Sequence, residues 1–356
     1  MDSKNINQVC TGRMCGNIKV AFDCEKYKQK QKETILKRCK QDENSILYIE
    51  VGGKIINDFH STRVLPGYRP DLKFEFVNEL FPNAEFICCI SAKDIDTKRQ
   101  RGDFSIGYDK ETFRLIEELK ERGKEIKKVA ITRITKGAES QAVINFENEA
   151  KKKGLEVIKF YENSHYKPDA GIVPGLDQNP FIRTDAKQVI ITAPGANSGK
   201  FGVCLNQIFH EMKNGKAPQY IKIETFPIHN LPVDHLINQA YASATADSGD
   251  KVMIDKNSSN ATSYNRDLDN FELLKFTTTL FDENVSKYLR VYNSPTSMGI
   301  NCLKDGIIDD DTVQRESAAE IARRFVRYYQ EYLNGKEKKE TVLTAKKILL
   351  KLSEII

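Results

Sequence analysis

Residues 188–201 read Gln-Val-Ile-Ile-Thr-Ala-Pro-Gly-Ala-Asn-Ser-Gly-Lys-Phe. The segment begins with an apolar run typical of a buried strand, continues through a glycine-containing loop and leads into a helical pattern over residues 201–213. A strand, a glycine loop and a helix in this order are typical of phosphate-binding loops in α/β proteins. The segment therefore predicts both the fold class and the place of a candidate site.

Strands and helices alternate along the chain as far as residue 225. Short apolar runs separated by amphipathic helices favour a parallel sheet with helices on both faces. We predict a doubly wound, mostly parallel α/β sheet in three layers, P-loop-like, followed by a smaller helical domain. Besides 188–192, the predicted strands are 46–51, 85–90, 128–132, 155–160 and 220–225, and the predicted helices between them include 72–80, 110–122, 139–153 and 201–213.

The composition excludes several classes of protein. The chain has 356 residues, of which 40% are hydrophobic and 29% charged, which is typical of globular proteins rather than disordered or fibrous ones. No apolar run approaches the roughly 18 residues that span a bilayer. The first residues lack the basic and apolar regions of an export signal. We therefore predict a cytoplasmic protein that does not contact membranes and keeps its cysteines reduced.

The basic excess of the chain is local. The net charge is +5, and residues 315–356 alone contain ten basic and six acidic side chains. Since this segment reads as a solvated helical tail, the excess does not indicate a nucleic-acid surface, and we predict no nucleic-acid partner.

The pattern of the sequence changes beyond Pro227, where helical and irregular stretches replace the strand–helix alternation. Two amphipathic helices are predicted near the end of the chain, and the last one ends on apolar residues. This apolar end predicts a contact between copies of the chain, as a homo-oligomer, or with a missing segment. The predicted divisions are an α/β domain at 1–230, a mostly helical or irregular subdomain at 231–305, and a helical tail at 306–356 that leads into a missing C-terminal domain.

The glycine loop supplies the candidate residues for binding a cofactor. In such a loop the backbone N–H groups converge on an anion, and the N-terminus of the following helix adds about half a positive charge. Lys200 would contact the terminal phosphate oxygens. The candidates are Gly195, Asn197, Ser198, Gly199 and Lys200, and the predicted partner is a small phosphorylated molecule such as ATP or another nucleotide with Mg²⁺.

The loop departs from the standard phosphate loop in two respects. Pro194 stands where the standard loop has its first glycine, and Phe201 stands where a Ser or Thr hydroxyl normally binds Mg²⁺. Ser198 or Thr192 could replace that hydroxyl. Two other interpretations therefore stay open: a tight turn of structural use only, and a site for a different anion.

Further candidate residues follow the predicted strands, because ligands bind beyond the carboxyl ends of parallel strands. Asp58, His60 and Arg63 come after the first strand, and His60 is the best candidate for a general base. Arg266 could hold a phosphate or carboxylate in a bidentate pair. Asp58 or Glu224 would be the contact for Mg²⁺. The cysteine and histidine spacings predict no resident metal site of the zinc type.

Eight runs of residues resemble the signatures of a bacterial family of uncharacterised proteins, the domain of unknown function numbered 1846. The resemblance extends in order from about residue 18 to about residue 329. It implies a cytoplasmic protein without a settled activity and a further C-terminal α/β domain. The runs are Tyr48-Ile-Glu-Val-Gly-Gly-Lys54, His60-Ser-Thr-Arg-Val-Leu-Pro-Gly67, Arg101-Gly-Asp103, Thr192-Ala-Pro-Gly with Ser198-Gly-Lys200, Glu224-Thr-Phe-Pro-Ile228, Ala244-Thr-Ala-Asp247, Tyr264-Asn-Arg-Asp267 and Ser294-Pro-Thr-Ser-Met-Gly299.

Three hypotheses of function follow from these residues. The first is a nucleotide- or phosphometabolite-dependent enzyme, a phosphoryl transferase or ligase, in which Lys200 offsets phosphate charge and Arg63 and Arg266 hold the acceptor. The second is a sensor or oligomeric assembly protein that binds an anionic metabolite without catalysis. The third is a metal-free enzyme that uses His60 as a base on a sugar phosphate.

Overall fold

The structure, a computed structural model, describes residues 19–40, 42–259 and 261–352. Within these residues, seven parallel strands form one sheet. The strands of this sheet are β1 (Leu47–Val51), β2 (Glu85–Ser91), β5 (Ile126–Ile134), β6 (Glu156–Tyr161), β7 (Gln188–Thr192), β8 (Gln219–Ile223) and β11 (Gly299–Ile300). They lie side by side in the order β11-β8-β1-β7-β2-β5-β6. Two short antiparallel pairs lie outside it, β3 (Gln100–Arg101) with β4 (Ile106–Gly107) and β9 (Val252–Asp255) with β10 (Ala261–Tyr264).

Both faces of the sheet are buried, which confirms the predicted three-layer α/β fold. Successive strand residues alternate between two apolar cores, so Ile49 and Cys88 lie in one core while Tyr48 and Cys89 lie in the other. Strands buried on both faces read as continuous apolar runs, which explains why the sequence shows no alternation with polar residues.

Helices cover the two faces separately. One core is covered by α1 (Cys24–Arg38), α3 (Leu72–Leu80), α5 (Tyr108–Glu121), α6 (Gln141–Lys152), α9 (Leu236–Ala244) and α14 (Asp310–Leu333), and the other by α7 (Val173–Gln178), α8 (Lys200–Lys213) and α10 (Asn265–Thr279). The remaining helices are α2 (Phe59–Val64), α4 (Ala92–Asp96), α11 (Glu283–Ser286), α12 (Pro295–Met298), α13 (Leu303–Gly306) and α15 (Lys339–Leu352), with 3₁₀ turns at Ala170–Ile172 and Ala246–Ser248.

The order of the strands places a crevice at the centre of the sheet. Strand β7 lies between β1 and β2. The chain leaving β1 leads to β2, whereas the chain leaving β7 leads through α8 to β8 on the other side of β1. The connections after these two neighbouring strands therefore run in opposite directions across the sheet. Such an arrangement leaves a crevice at the carboxyl ends of the strands, and ligands of α/β proteins bind there.

The C-terminal helices pack against the rest of the chain. Helix α14 contacts α9, α2 and α15, and β11 pairs with β8 at the edge of the sheet. Val326, Leu333 and Leu343 are at least half exposed on α14 and α15. The domain divisions and the contact between copies through these helices stay predictions. None of the helices in the described ranges is long and apolar enough to cross a membrane.

Candidate functional site

A cavity of about 700 Å³ occupies the crevice at the carboxyl ends of the strands. The ends of β1, β5, β6 and β8 form its floor, and the glycine loop, the start of α8 and one face of α10 form its walls. Of the sequence-predicted residues, the structure brings Asn197, Ser198, Gly199, Lys200, Glu224 and Arg266 together on this cavity.

The glycine loop is held against the end of β5. Gly199 has a φ of +79°, and a Cβ built there would lie 2.5 Å from Thr132 Oγ1, so both the backbone angle and the space require glycine. Thr132 Oγ1 donates a hydrogen bond to the Ser198 carbonyl over 2.8 Å. Helix α8 then begins at Lys200, so its first turn, whose N–H groups lack partners within the helix, lies at the cavity.

Lys200 is a buried cation without an anionic partner among the described residues. Its Nζ donates to the Gly195 carbonyl over 3.2 Å, and the side chain is only 6% exposed. Burial lowers the pKa of Lys200, because the charged ammonium is poorly solvated there. A buried ammonium is stabilised by an opposite charge, so an anion bound in the cavity would relieve this cost.

Two arginines add positive charge at the rim of the cavity. Arg266 contacts the Asn197 side chain of the loop and lies 3.1 Å from Asp250 Oδ1. Arg133 sits at an irregularity in the β5–β6 pairing, with a φ of +56°, and it is exposed. No ion pair of Arg133 is found in the part of the chain that the structure describes. An unpaired arginine held in a left-handed conformation at the cavity is available to a ligand.

A lysine between two carboxylates forms the opposite wall. Lys222 Nζ lies 2.5 Å from both Glu224 Oε1 and Asp267 Oδ1. Burial raises the pKa of Glu224 from 4.5 to about 7, although Lys222 opposes the rise. Burial also works against ionisation of Asp267, but Lys222 and Arg266 outweigh it and keep the Asp267 pKa below its usual value. One carboxyl of the wall can therefore exchange a proton near neutral pH.

We expect Glu224→Gln to stabilise the protein relative to wild type at pH 8 but not at pH 5. Because the folded state favours the protonated carboxyl, its contribution to stability is fully present below pH 4.5 and is lost as the pH rises through about 7. The stability that Glu224→Gln gains over wild type at high pH amounts to at most about 3 kcal/mol, at 1.36 kcal/mol per pKa unit. Thermal unfolding of both proteins at the two pH values measures it, with the exposed Glu117→Gln as control. If the stabilities of Glu224→Gln and wild type differed by the same amount at pH 5 and pH 8, the raised pKa of Glu224 would be contradicted.

Asp58 and His60 lie outside this cavity, in a neighbouring pocket of about 100 Å³. Asp58 caps α2 by accepting the Ser61 N–H and pairs with Lys73 Nζ at 3.2 Å. His60 Nδ1 lies 3.2 Å from Glu320 Oε1, and the ring packs edge-on against Phe226. Burial first, then neighbouring arginines, lower the pKa of His60, so the ring is neutral at physiological pH.

Arg63 lines neither cavity. Its Nη1 donates to Asp103 Oδ1 over 3.0 Å and its Nε donates to Glu320 Oε2 over 3.1 Å. The candidate role of holding an acceptor therefore has no support from its position. Gly195 lines the smaller pocket, where a Cβ would lie 2.6 Å from the Tyr108 hydroxyl oxygen. Because Gly195 has no side chain, the Tyr108 ring can pack closely against it.

Of the positions expected from the sequence, Phe201, Ser198, Asp58 and Glu224 do not fit Mg²⁺, while the Thr192 hydroxyl is buried without a hydrogen-bond partner among the described residues. Phe201 packs against Tyr220, with 6.0 Å between the ring centroids, and the Ser198 hydroxyl donates to the Gly195 carbonyl. Lys222 already occupies the space between Glu224 and Asp267, and Lys73 pairs with Asp58. Across the described residues, no group of three or more His, Cys, Asp or Glu side chains could hold a metal ion. We derive no step through Mg²⁺.

Sequence reasoning missed several residues that line the cavity. Glu50 accepts a hydrogen bond from the Tyr220 hydroxyl over 2.7 Å, and Lys222 bridges the two carboxylates. The available signal was a charged residue inside an otherwise apolar strand, since burying such a charge is costly without a partner. Six aromatic side chains of the lining were also missed, namely Phe160, Tyr161, Tyr166, Phe226, Tyr241 and Tyr264.

The fold and the site define an α/β protein with a glycine loop and a cavity at the switch point of a parallel sheet. The family model "Domain of unknown function DUF1846, N-terminal" matches residues 20–353. A UPF0371 protein of Clostridium botulinum (strain Alaska E43 / Type E3) is 38% identical over 340 residues, which cover 93% of this chain and 66% of that protein. A UPF0371 protein of Clostridium tetani (strain Massachusetts / E88) is 39% identical over 344 residues, covering 94% and 67%.

The chain therefore belongs to the DUF1846 family, which confirms the resemblance noted in the sequence. It spans about 66% of the length of the curated relatives that it matches.

Proposed function

We propose that this chain binds a nucleotide or another phosphorylated metabolite, with a phosphate group on the 195–200 loop. The observation that carries the proposal is the buried Lys200, which faces the loop without a carboxylate partner among the described residues. The N-terminus of α8 adds its partial positive charge at the same place, and Arg133 and Arg266 stand at the rim.

The cavity suits the rest of such a molecule. Its volume of about 700 Å³ lies within the usual range for ligand sites, and six aromatic side chains are part of its lining. A planar base or a sugar ring can pack on aromatic faces, while the phosphate takes the basic end. A lining that contains both cationic and aromatic side chains favours an amphipathic phosphorylated ligand over a bare inorganic anion.

Glu224 is the group that we propose for acid–base chemistry on the bound molecule, as a transferase or ligase requires. When its carboxyl is protonated, it can donate that proton to a leaving oxygen and remain as a carboxylate beside Lys222. The bond to the leaving oxygen breaks as the proton arrives, the transferred group forms a bond to a hydroxyl oxygen of the acceptor, and the proton of that hydroxyl passes to solvent.

We expect Lys200→Met to remove ligand-induced stabilisation without lowering the stability of the ligand-free protein. Methionine fills a similar volume and removes a buried, unpaired charge, so the ligand-free melting temperature should stay the same or rise. A ligand at a hundredfold its Kd adds about 2.7 kcal/mol to wild type. A thermal-shift panel of nucleotides and sugar phosphates, with and without Mg²⁺, measures both quantities.

The matched control is Lys213→Met at the other end of the same helix, where the side chain is 55% exposed and pairs with Asp177. This variant should keep the full ligand shift. A ligand that stabilises wild type and Lys200→Met equally would overturn the proposal, as would a panel in which no phosphorylated compound shifts the wild type.

A sensor without catalysis is the second candidate, and Phe201 favours it. In the standard loop this position supplies a hydroxyl that binds Mg²⁺, but here Phe201 packs against Tyr220. The loop can therefore bind phosphate without the metal of standard phosphoryl transfer. Incubation of the stabilising ligand with the protein, followed by product analysis, separates the two. If the wild type converts the ligand and Glu224→Gln does not, the result supports an enzyme. If the wild type leaves the ligand unchanged, the result supports a sensor.

A further inference from the structure

The pocket of about 100 Å³ lies on the far side of the glycine loop from the large cavity. It is enclosed by the turn after β1, the segment around β3, the loop residues Gly195 and Ala196, and helix α14. It shares Gly53, Ala196, Phe226 and Tyr241 with the large cavity, so the two spaces adjoin. Its volume is too small for a nucleoside and admits a single small group.

The wall of this pocket is rich in cations. Five cationic side chains line it against three carboxylates, namely Lys54, Arg99, Arg101, Arg324 and Arg327 against Asp58, Asp103 and Asp247. Arg99 and Arg101 each have two acidic neighbours, whereas the other cations have one, for example Arg324 with Glu320 at 2.7 Å and Arg327 with Glu331 at 2.9 Å. A guanidinium carries five N–H donors, so these pairs leave donors that a further anion can use.

Two buried nitrogen atoms of the pocket have no hydrogen-bond partner among the described residues. They are Nε of Arg101, whose side chain is 2% exposed, and Nε2 of His60. The nearest acid to Arg101 Nε is Asp103 Oδ2 at 3.9 Å, which is beyond hydrogen-bond distance. Buried polar atoms are nearly always paired, and an Arg Nε–H is always a donor. An acceptor placed in the pocket would satisfy it.

We propose that this pocket is a second anion site and that it binds a small tetrahedral oxyanion of the phosphate type. The anion is either a free ion or the second phosphoryl group of the molecule bound in the large cavity. The latter possibility rests on the proposed function. In both cases Arg101, Arg324 and Arg327 supply the donors. A tetrahedral oxyanion matches them because its oxygens accept hydrogen bonds in several directions and guanidinium groups pair with it in bidentate fashion.

The test uses Lys200→Met as the background, so that phosphate binding at the loop does not contribute. Inorganic phosphate is titrated calorimetrically into this variant and into the same variant with Arg324→Gln or Arg327→Gln. Arg327 is 31% exposed on α14, so its replacement keeps the fold in the event that Arg324→Gln does not. Arg315→Gln on the same helix lines neither cavity and is the control.

A free-anion site predicts one phosphate per chain in the Lys200→Met background, with affinity lowered at least tenfold by either arginine change and unchanged by Arg315→Gln. A site for a second phosphoryl group predicts no binding of phosphate alone. Instead, adenosine 3′,5′-bisphosphate binds wild type at least tenfold more tightly than adenosine 5′-monophosphate, and Arg324→Gln or Arg327→Gln removes that gain. If neither probe responds to either arginine change, the second site does not exist, whatever the result at Lys200.

Discussion

Lys73→Met is expected to lower the free energy of unfolding by about 3–5 kcal/mol, because it removes one partner of a buried ion pair. Lys73 is fully buried, and its Nζ donates to the Gly52 carbonyl over 2.8 Å and to Thr225 Oγ1 over 2.9 Å. It also lies 3.2 Å from Asp58 Oδ2. Without it, Asp58 keeps a buried charge and the turn after β1 loses its anchor.

Urea denaturation of three variants tests this expectation. Lys32→Met breaks a surface pair with Glu79 and should cost less than about 1 kcal/mol. The double change Asp58→Asn with Lys73→Met should cost less than Lys73→Met alone, because no unpaired carboxylate remains. A loss from Lys73→Met within 1 kcal/mol of that from Lys32→Met would contradict the structural role of this lysine.

Gly199→Ala is expected to destabilise the protein by about 2–5 kcal/mol and to abolish the ligand-induced thermal shift. A left-handed backbone costs a side-chain-bearing residue about 1–2 kcal/mol, and overpacking adds about 1–3 kcal/mol. The added Cβ would lie 2.5 Å from Thr132 Oγ1 and 2.7 Å from Thr132 Cβ, so the loop or the end of β5 must move.

Gly215→Ala is the matched control for this change. Gly215 follows the same helix with a φ of +76°, and, apart from its chain neighbours, no residue that the structure describes lies within 4 Å of the Cβ position. Gly215→Ala therefore has the free-energy cost of a left-handed alanine without a steric contact. It also leaves the 195–200 loop in place. Equal losses of stability in the two variants, together with an unchanged ligand shift in Gly199→Ala, would show that the fit against Thr132 does not matter.

Local patterns in the sequence were sufficient for most of the fold. All six predicted strands are present in one parallel sheet, and the helices predicted at 72–80, 110–122 and 139–153 are found within two residues of those bounds. Their apolar runs are long enough to be read without any knowledge of partners. Strand β11 was missed because its two residues, Gly299 and Ile300, contain no periodic signal.

The site was only partly predictable, because its assembly depends on contacts between distant parts of the chain. The loop residues could be found from the strand–glycine–helix pattern. His60 and Arg63 follow a strand end as expected, yet both contact Glu320, more than 250 positions away, and neither lines the large cavity. The order of strands, which places β7 beside β1, likewise depends on long-range pairing that no local pattern reports.

The position of a bound oxyanion tests the phosphate-loop proposal most directly. Crystals of the protein soaked with tungstate, a tetrahedral oxyanion with a strong anomalous signal, locate the anion without knowledge of the natural ligand. We expect an anomalous peak at the 195–200 loop, within hydrogen-bond distance of Lys200 Nζ, and its loss in Lys200→Met crystals. A loop without a peak, with Lys200 still bonded to the Gly195 carbonyl while tungstate binds elsewhere, would contradict the proposal.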